Sequence, residues 1–115
     1  MTYYYRLQKY DSNNWVNGTT IFGETPCTSG LNGFCGCSDI FVDGQGAMYC
    51  CDGSNNRVIK ITPNNAFATV VAGVTNTSGA QLNQLSNPRG IFVDANNTLY
   101  VADAGNRYDI WTDVL

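Results

Sequence analysis

Apolar residues in this chain come in short, dense runs rather than in long amphipathic stretches. Ile40-Phe41-Val42, Ala47-Met48-Tyr49-Cys50-Cys51, Val58-Ile59-Lys60-Ile61 and Phe67 to Ala72 are rich in β-branched and aromatic side chains, and Gly, Asn, Asp or Pro bounds each of them. Runs of that length and composition predict strands at Ile40–Asp43, Ala47–Cys51, Val58–Ile61 and Phe67–Ala72. Asp43-Gly44-Gln45-Gly46 is a hairpin signal between the first two, and Asp94-Ala95-Asn96-Asn97 is a weaker version of it. No segment keeps an apolar 3.6-residue period long enough for a helix. Ile40-Phe41-Val42 is apolar on both faces of its strand, so it expects cover on both sides.

The same pattern recurs. Ile40-Phe41-Val42-Asp43 returns as Ile91-Phe92-Val93-Asp94, an offset of 51. Leu31-Asn32 returns as Leu82-Asn83, Tyr49 as Tyr100 and Asp52 as Asp103. A one-residue indel then aligns Asn56-Arg57 with Asn106-Arg107. This predicts further strands at Ile91–Asp94 and Leu99–Asp103. A partial third copy leads the chain: Arg6 to Tyr10 reads like Arg57 to Ile61, and Gly18 to Gly23 like Ala68 to Gly73. The expected organisation is therefore 1–23 as the back half of a unit, 24–73 as a complete unit with its leading loop, and 74–115 as an incomplete one. Four short strands per unit, covered on either face by neighbouring units, describe a β-propeller blade.

Composition narrows the function. The chain has 115 residues, six basic and nine acidic, and no histidine. The basic residues are scattered, so the electrostatic footprint of nucleic-acid binding is lacking. Without histidine, Ser-His-Asp and Cys-His catalysis are excluded within the chain. The first residues have neither the basic start nor the apolar core of a signal peptide, and no apolar run approaches a membrane span.

Asn87-Pro88-Arg89-Gly90-Ile91-Phe92-Val93-Asp94, Leu99-Tyr100-Val101-Ala102-Asp103 and Gly105-Asn106-Arg107 together resemble the NHL repeat. In the earlier copy Asp39 replaces the glycine, Cys37 the proline, and Cys50-Cys51 the Val-Ala pair. The resemblance implies an all-β fold of propeller blades, four-stranded antiparallel meanders, here an incomplete propeller. It also implies that the first strand of each blade lines a central channel. About two blades cannot close a ring, so the expected setting is a longer chain, or else several copies in one ring.

Asp52 and Asp103 end second strands before Gly- and Asn-rich turns, with Arg57 and Arg107 close behind. A structural clasp is expected of these four. The five cysteines, Cys27, Cys35, Cys37, Cys50 and Cys51, suit disulfides better than zinc, because Cys50 and Cys51 point to opposite faces of a strand. The Asp43–Gly46 turn sets Asp39 near Cys51, so Cys37 is expected to pair with Cys51, and Cys27 with Cys35 as a second bridge. Disulfides imply an extracellular or secretory-pathway location. Asn17-Gly18-Thr19, Asn76-Thr77-Ser78 and Asn96-Asn97-Thr98 are glycosylation sequons.

The function read from this pattern is a non-catalytic binding or scaffolding module. It would offer rim loops to a protein, peptide or glycan and carry no cofactor, metal or nucleic acid. The rim would combine the loop entering each first strand with the turn after each second strand, and Arg89, Asn87, Asn55 and Asn106 are the expected ligand-facing residues. The alternative is a fragment of a propeller enzyme, of the amidating-lyase kind, with its catalytic residues in other blades.

Overall fold

The computed structural model describes residues 3–106 and 111–113. Among the described residues nine strands form three antiparallel sheets: β1 (Tyr4–Asp11) with β2 (Asn14–Pro26); β3 (Cys37–Val42), β4 (Met48–Asp52), β5 (Arg57–Ile61) and β6 (Thr69–Gly73) in sequence order; and β7 (Gly90–Val93), β8 (Leu99–Ala102) and β9 (Trp111–Asp113). The only helical segments among the described residues are single 3₁₀ turns at Gly53–Asn55 and Ala104–Asn106. Six predicted strands are present with shifted ends. Phe67 is exposed and precedes β6, and Ala47 serves the turn before β4.

The hairpins form for the reason the sequence suggested. Asp43 Oδ1 accepts the N–H groups of Gln45 and Ala47 at 2.9 and 3.0 Å, and Asp94 Oδ1 accepts those of Asn96 and Thr98, both at 2.9 Å. The carboxylate thus holds the turn that it begins. The third loop residue is left-handed in both, Gly46 at φ 86° and Asn97 at φ 64°, a conformation that only Gly and Asn adopt cheaply. The registers agree: Phe41 faces Tyr49 in one hairpin and Phe92 faces Tyr100 in the other.

β1–β2 repeats β5–β6 down to its irregularity. Arg6 pairs with Gly23 and Leu7 with Phe22, then the register slips so that Gln8 meets Thr20. Arg57 pairs with Gly73 and Val58 with Ala72, then Ile59 meets Val70. Gly23 (φ 86°) and Gly73 (φ 81°) sit at the same place, and a Cβ on Gly23 would lie 2.7 Å from the Tyr5 carbonyl oxygen. Glycine is needed there both for the φ and for the close approach.

The four-stranded sheet is the middle layer. One face contributes Tyr49, Cys51, Val58 and Ala72 to a core shared with Leu85, Ile91, Val93, Leu99 and Val101 of the following unit. The other face contributes Met48, Cys50, Ile59 and Ile61 to a core shared with Phe22 and Phe34, against which Tyr5, Leu7 and Ile21 pack. β4 is buried along its whole length: the apolar run Met48–Cys51 requires it, and Asp52 is buried in an ion pair with Arg57. At roughly 1.5–3 kcal/mol per fully buried aliphatic side chain, these two cores are the main source of stability.

One expected bridge is corrected. Cys37 is bonded to Cys50, with 5.7 Å between Cα atoms, and Cys51 is a buried free thiol. The cause is a bulge in β3. Cys37 lies opposite Asp52 while Ile40 lies opposite Cys50, so β3 spends one residue more than β4 over that interval. An extra residue inverts which face a side chain takes. Cys37 therefore shares a face with Cys50, and Cys51 turns into the opposite core. Cys27–Cys35 forms as expected and closes the leading loop.

Candidate functional site: the loop rim and its clasps

At the end of each second strand an aspartate organises the loops around it. Asp52 Oδ1 accepts the Cys35 N–H at 2.9 Å, and Oδ2 accepts the Asn55 side-chain amide at 2.9 Å. Asn55 also donates to the Thr28 carbonyl at 2.8 Å. The second copy repeats every partner: Asp103 Oδ1 accepts the Ser86 N–H at 2.7 Å, and Asn106 donates to Asp103 Oδ2 and to the Gly79 carbonyl. The repeat thus runs without a gap through Asn55 and Asn106. The indel expected before them falls after them, at Asn56.

Arg57 is the centre of the first clasp. Its Nε donates to Asp52 Oδ2 at 2.8 Å, and both side chains are fully buried. Nη1 donates to the Ser29 carbonyl and the Thr75 hydroxyl, and Nη2 to the Gly30 and Gly33 carbonyls, at 2.8–3.3 Å. All five guanidinium N–H groups thereby have an acceptor. A loop that turns its carbonyls inward needs such a donor, because a buried orphan carbonyl costs about 1–3 kcal/mol. Arg107 lies outside the described residues.

Two residues fasten one unit to the next, and the sequence reading missed their role. Asp39 Oδ2 accepts the N–H of Ile91 at 3.0 Å, at the start of the neighbouring first strand. The Ser38 hydroxyl lies 3.3–3.4 Å from the carbonyl oxygens of Cys51, Pro88 and Arg89. The available signal was the departure of Asp39 from the glycine of the repeat.

Of the four residues expected to face a ligand, Asn55 is corrected: it is 5% exposed with its amide spent inside the clasp. Asn106 is half-buried and likewise engaged with Asp103 and Gly79. Asn87 and Arg89 are exposed. Asn87 has φ 49°, and its N–H donates to Asn56 Oδ1 at 2.9 Å. A Cβ on Gly53 would lie 2.8 Å from the Pro88 carbonyl oxygen, so the turn after β4 and the loop entering β7 touch. The two loop sets read from sequence as one rim are contiguous here, with Ser54, Asn87 and Arg89 outermost. Arg89 makes no ion pair among the described residues; its backbone N–H donates to the Ala102 carbonyl.

Burial pushes the Cys51 thiol up from 9.0 to about 11, against a weaker opposing pull from the Ser38 hydroxyl. It is a core residue with little thiolate at neutral pH. Asn17, Asn76 and Asn96 of the three sequons are all exposed. No helix of the described residues is long and apolar enough to cross a membrane. No protein-family model matches this chain, and no curated protein sequence does.

Proposed function

We propose that the chain forms consecutive blades of an NHL-type β-propeller whose rim loops bind a protein, peptide or glycan without catalysis. One observation carries the blade reading: three strands of the four-stranded meander are packed on both faces between two sheets built on its own repeat. The binding reading is supported by how the loops are held. Disulfides and buried clasps fix the loops, so a ligand meeting them would order little that is still mobile, and preorganisation of that kind favours affinity. Asp52, Arg57 and Asp39 are committed to internal bonds, which leaves Arg89 as a rim charge available to a ligand among the described residues. The two disulfides and the exposed sequons support an extracellular setting.

The test is capture of ligands from extracellular protein and glycan libraries by the oxidised chain, followed by Arg89→Ala. The expected result is at least a several-fold weaker interaction with an unchanged melting temperature. Equal affinity in the variant would remove Arg89 from the site.

A further inference from the structure

The connection between β1 and β2 is longer than a hairpin needs. Lys9 pairs with Thr19 and Asp11 with Asn14, so residues 15–18 form a four-residue excursion set against Tyr10 alone. Asn14 Oδ1 closes the excursion as an Asx turn, accepting the N–H groups of Val16 and Asn17, both at 3.2 Å. A Cβ on Gly18 would lie 2.7 Å from the Tyr10 ring, so the ring requires glycine there. Trp15 and Val16 are 71% and 85% exposed, and Asn17 and Thr19 are exposed as well. The counterpart turn of the complete unit, residues 62–67 between β5 and β6, is exposed along its whole length although its own sheet is packed on both sides. Exposure at this turn is therefore a property of the outer hairpin of a unit.

We propose that Asn17 is an N-glycosylation site and that the first sugar of its glycan lies against the Trp15 ring. Trp15-Val16-Asn17-Gly18-Thr19 supplies the acceptor amide, a small middle residue and a threonine hydroxyl on an exposed turn, the setting that a bulky surface modification needs. The C–H face of a pyranose is apolar and weakly positive, and the face of an indole is apolar and negative, so the two are complementary. The other two sequons lack this combination. Asn76 belongs to the rim loops, with its N–H donated to the Asn55 carbonyl; its hydroxyl residue, Ser78, is bridged to Leu85, and the residue two before it is Val74. Asn96 sits in the tight turn held by Asp94, with Thr98 half-buried and the Asp94 carboxylate in the place of the aromatic ring. The transfer uses a lipid-linked oligosaccharide pyrophosphate as donor. Asn17 Nδ2 bonds to the anomeric carbon, the bond from that carbon to the phosphate oxygen breaks, and the pyrophosphate leaves with the electron pair while the amide gives up a proton. The inference rests on the extracellular setting proposed above.

The experiment directs the chain into the secretory pathway of a glycosylating eukaryotic cell. Occupancy is read by mass spectrometry after enzymatic deglycosylation, which converts each glycosylated asparagine to aspartate, on retained and exported chain together. The expected result is a glycan on Asn17 in most of the material, with Asn76 and Asn96 occupied in a minor share. Asn17→Gln and Thr19→Ala, two independent changes at exposed positions, should each abolish that glycan and leave the Cys27–Cys35 and Cys37–Cys50 bridges in place. Trp15→Ala keeps the sequon intact and should raise the unglycosylated fraction several-fold. A disulfide-bonded chain with Asn17 bare overturns the proposal and leaves the extracellular setting standing. A chain glycosylated at Asn17 whose cysteines stay reduced counts instead against that setting. Equal occupancy of the three sequons, or a Trp15→Ala chain occupied like wild type, overturns the role given to the ring.

Discussion

Replacing Arg57 with Met would keep the bulk of a buried side chain and remove its charge and donors. The loss falls on five bonds: the 2.8 Å contact with Asp52, three loop carbonyls and the Thr75 hydroxyl. The Asp52 carboxylate would stay fully buried without its cation. Removing one partner of a buried pair typically costs about 3–5 kcal/mol. A single domain has roughly 5–15 kcal/mol in total, so Arg57→Met should take away about a fifth of it or more. Urea unfolding followed by circular dichroism measures this directly. Partial rescue by Asp52→Asn in the same chain is expected, because the uncompensated charge then disappears; the cycle should show a coupling of about 1 kcal/mol or more. The local counterpart is proteolysis between Thr28 and Gly33, with fragments that stay joined by Cys27–Cys35 until reduction. A shift below about 1 kcal/mol, outside the usual range for a broken buried pair, or a cycle without coupling, would show that the loop is held by its disulfide and packing alone.

Peptide mapping without reductant should find Cys27 joined to Cys35 and Cys37 to Cys50, with Cys51 alkylated only after unfolding; a peptide linking Cys51 to another cysteine would overturn the bulged register. The Cys51 pKa is raised on folding, so the fold binds that proton more tightly than the unfolded chain. Its contribution is complete below about pH 9 and is lost as pH rises towards about 11. Over that window wild type should lose up to about 3 kcal/mol more than Cys51→Ala, measured as the difference in urea midpoints. Gly73→Ala should destabilise by more than about 1 kcal/mol, because its φ is 81° and the new Cβ would run into the Asn56 carbonyl. Gly44→Ala, where nothing lies within 4 Å, should change stability by less than about 0.5 kcal/mol.

Most of the architecture was legible because it is written in side chains that act locally. Asp43 and Asp94 build their own turns; the doubly apolar Ile40-Phe41-Val42 suggested cover on two sides, but only the Phe41 side is covered, while Ile40 and Val42 stay about half exposed. The 51-residue offset carries both signals into a second unit. What escaped depends on backbone events without a residue signature. The β3 bulge is one extra residue between Cys37 and Ile40, and nothing in Ser38-Asp39 distinguishes a bulged strand from a straight one. That single step moved Cys37 from the Cys51 face to the Cys50 face. The indel was misplaced because Asn55-Asn56 offers two candidates for Asn106; only the bonds to Asp52 and Thr28 choose Asn55.

The differences between the copies have a physical pattern of their own. Positions that build a unit are kept: Asp43 and Asp94 in the turns, Asp52 and Asp103 with Asn55 and Asn106 in the clasps. The positions that differ include the cysteines that bridge the first unit internally and two residues that join it to the next. Ser38 stands where the next unit has Arg89, and Asp39 where it has Gly90; together they bind the Pro88–Ile91 segment of that unit. Cys27 and Cys35 stand where Ser78 and Ser86 recur, and Cys37 and Cys50 where Pro88 and Val101 recur, so one loop is bridged and its counterpart is held by hydrogen bonds and the buried Leu85. A repeat that must stack can keep its own turns and clasps unchanged, because those bonds close within it. Its fasteners to a neighbour must vary with the neighbour.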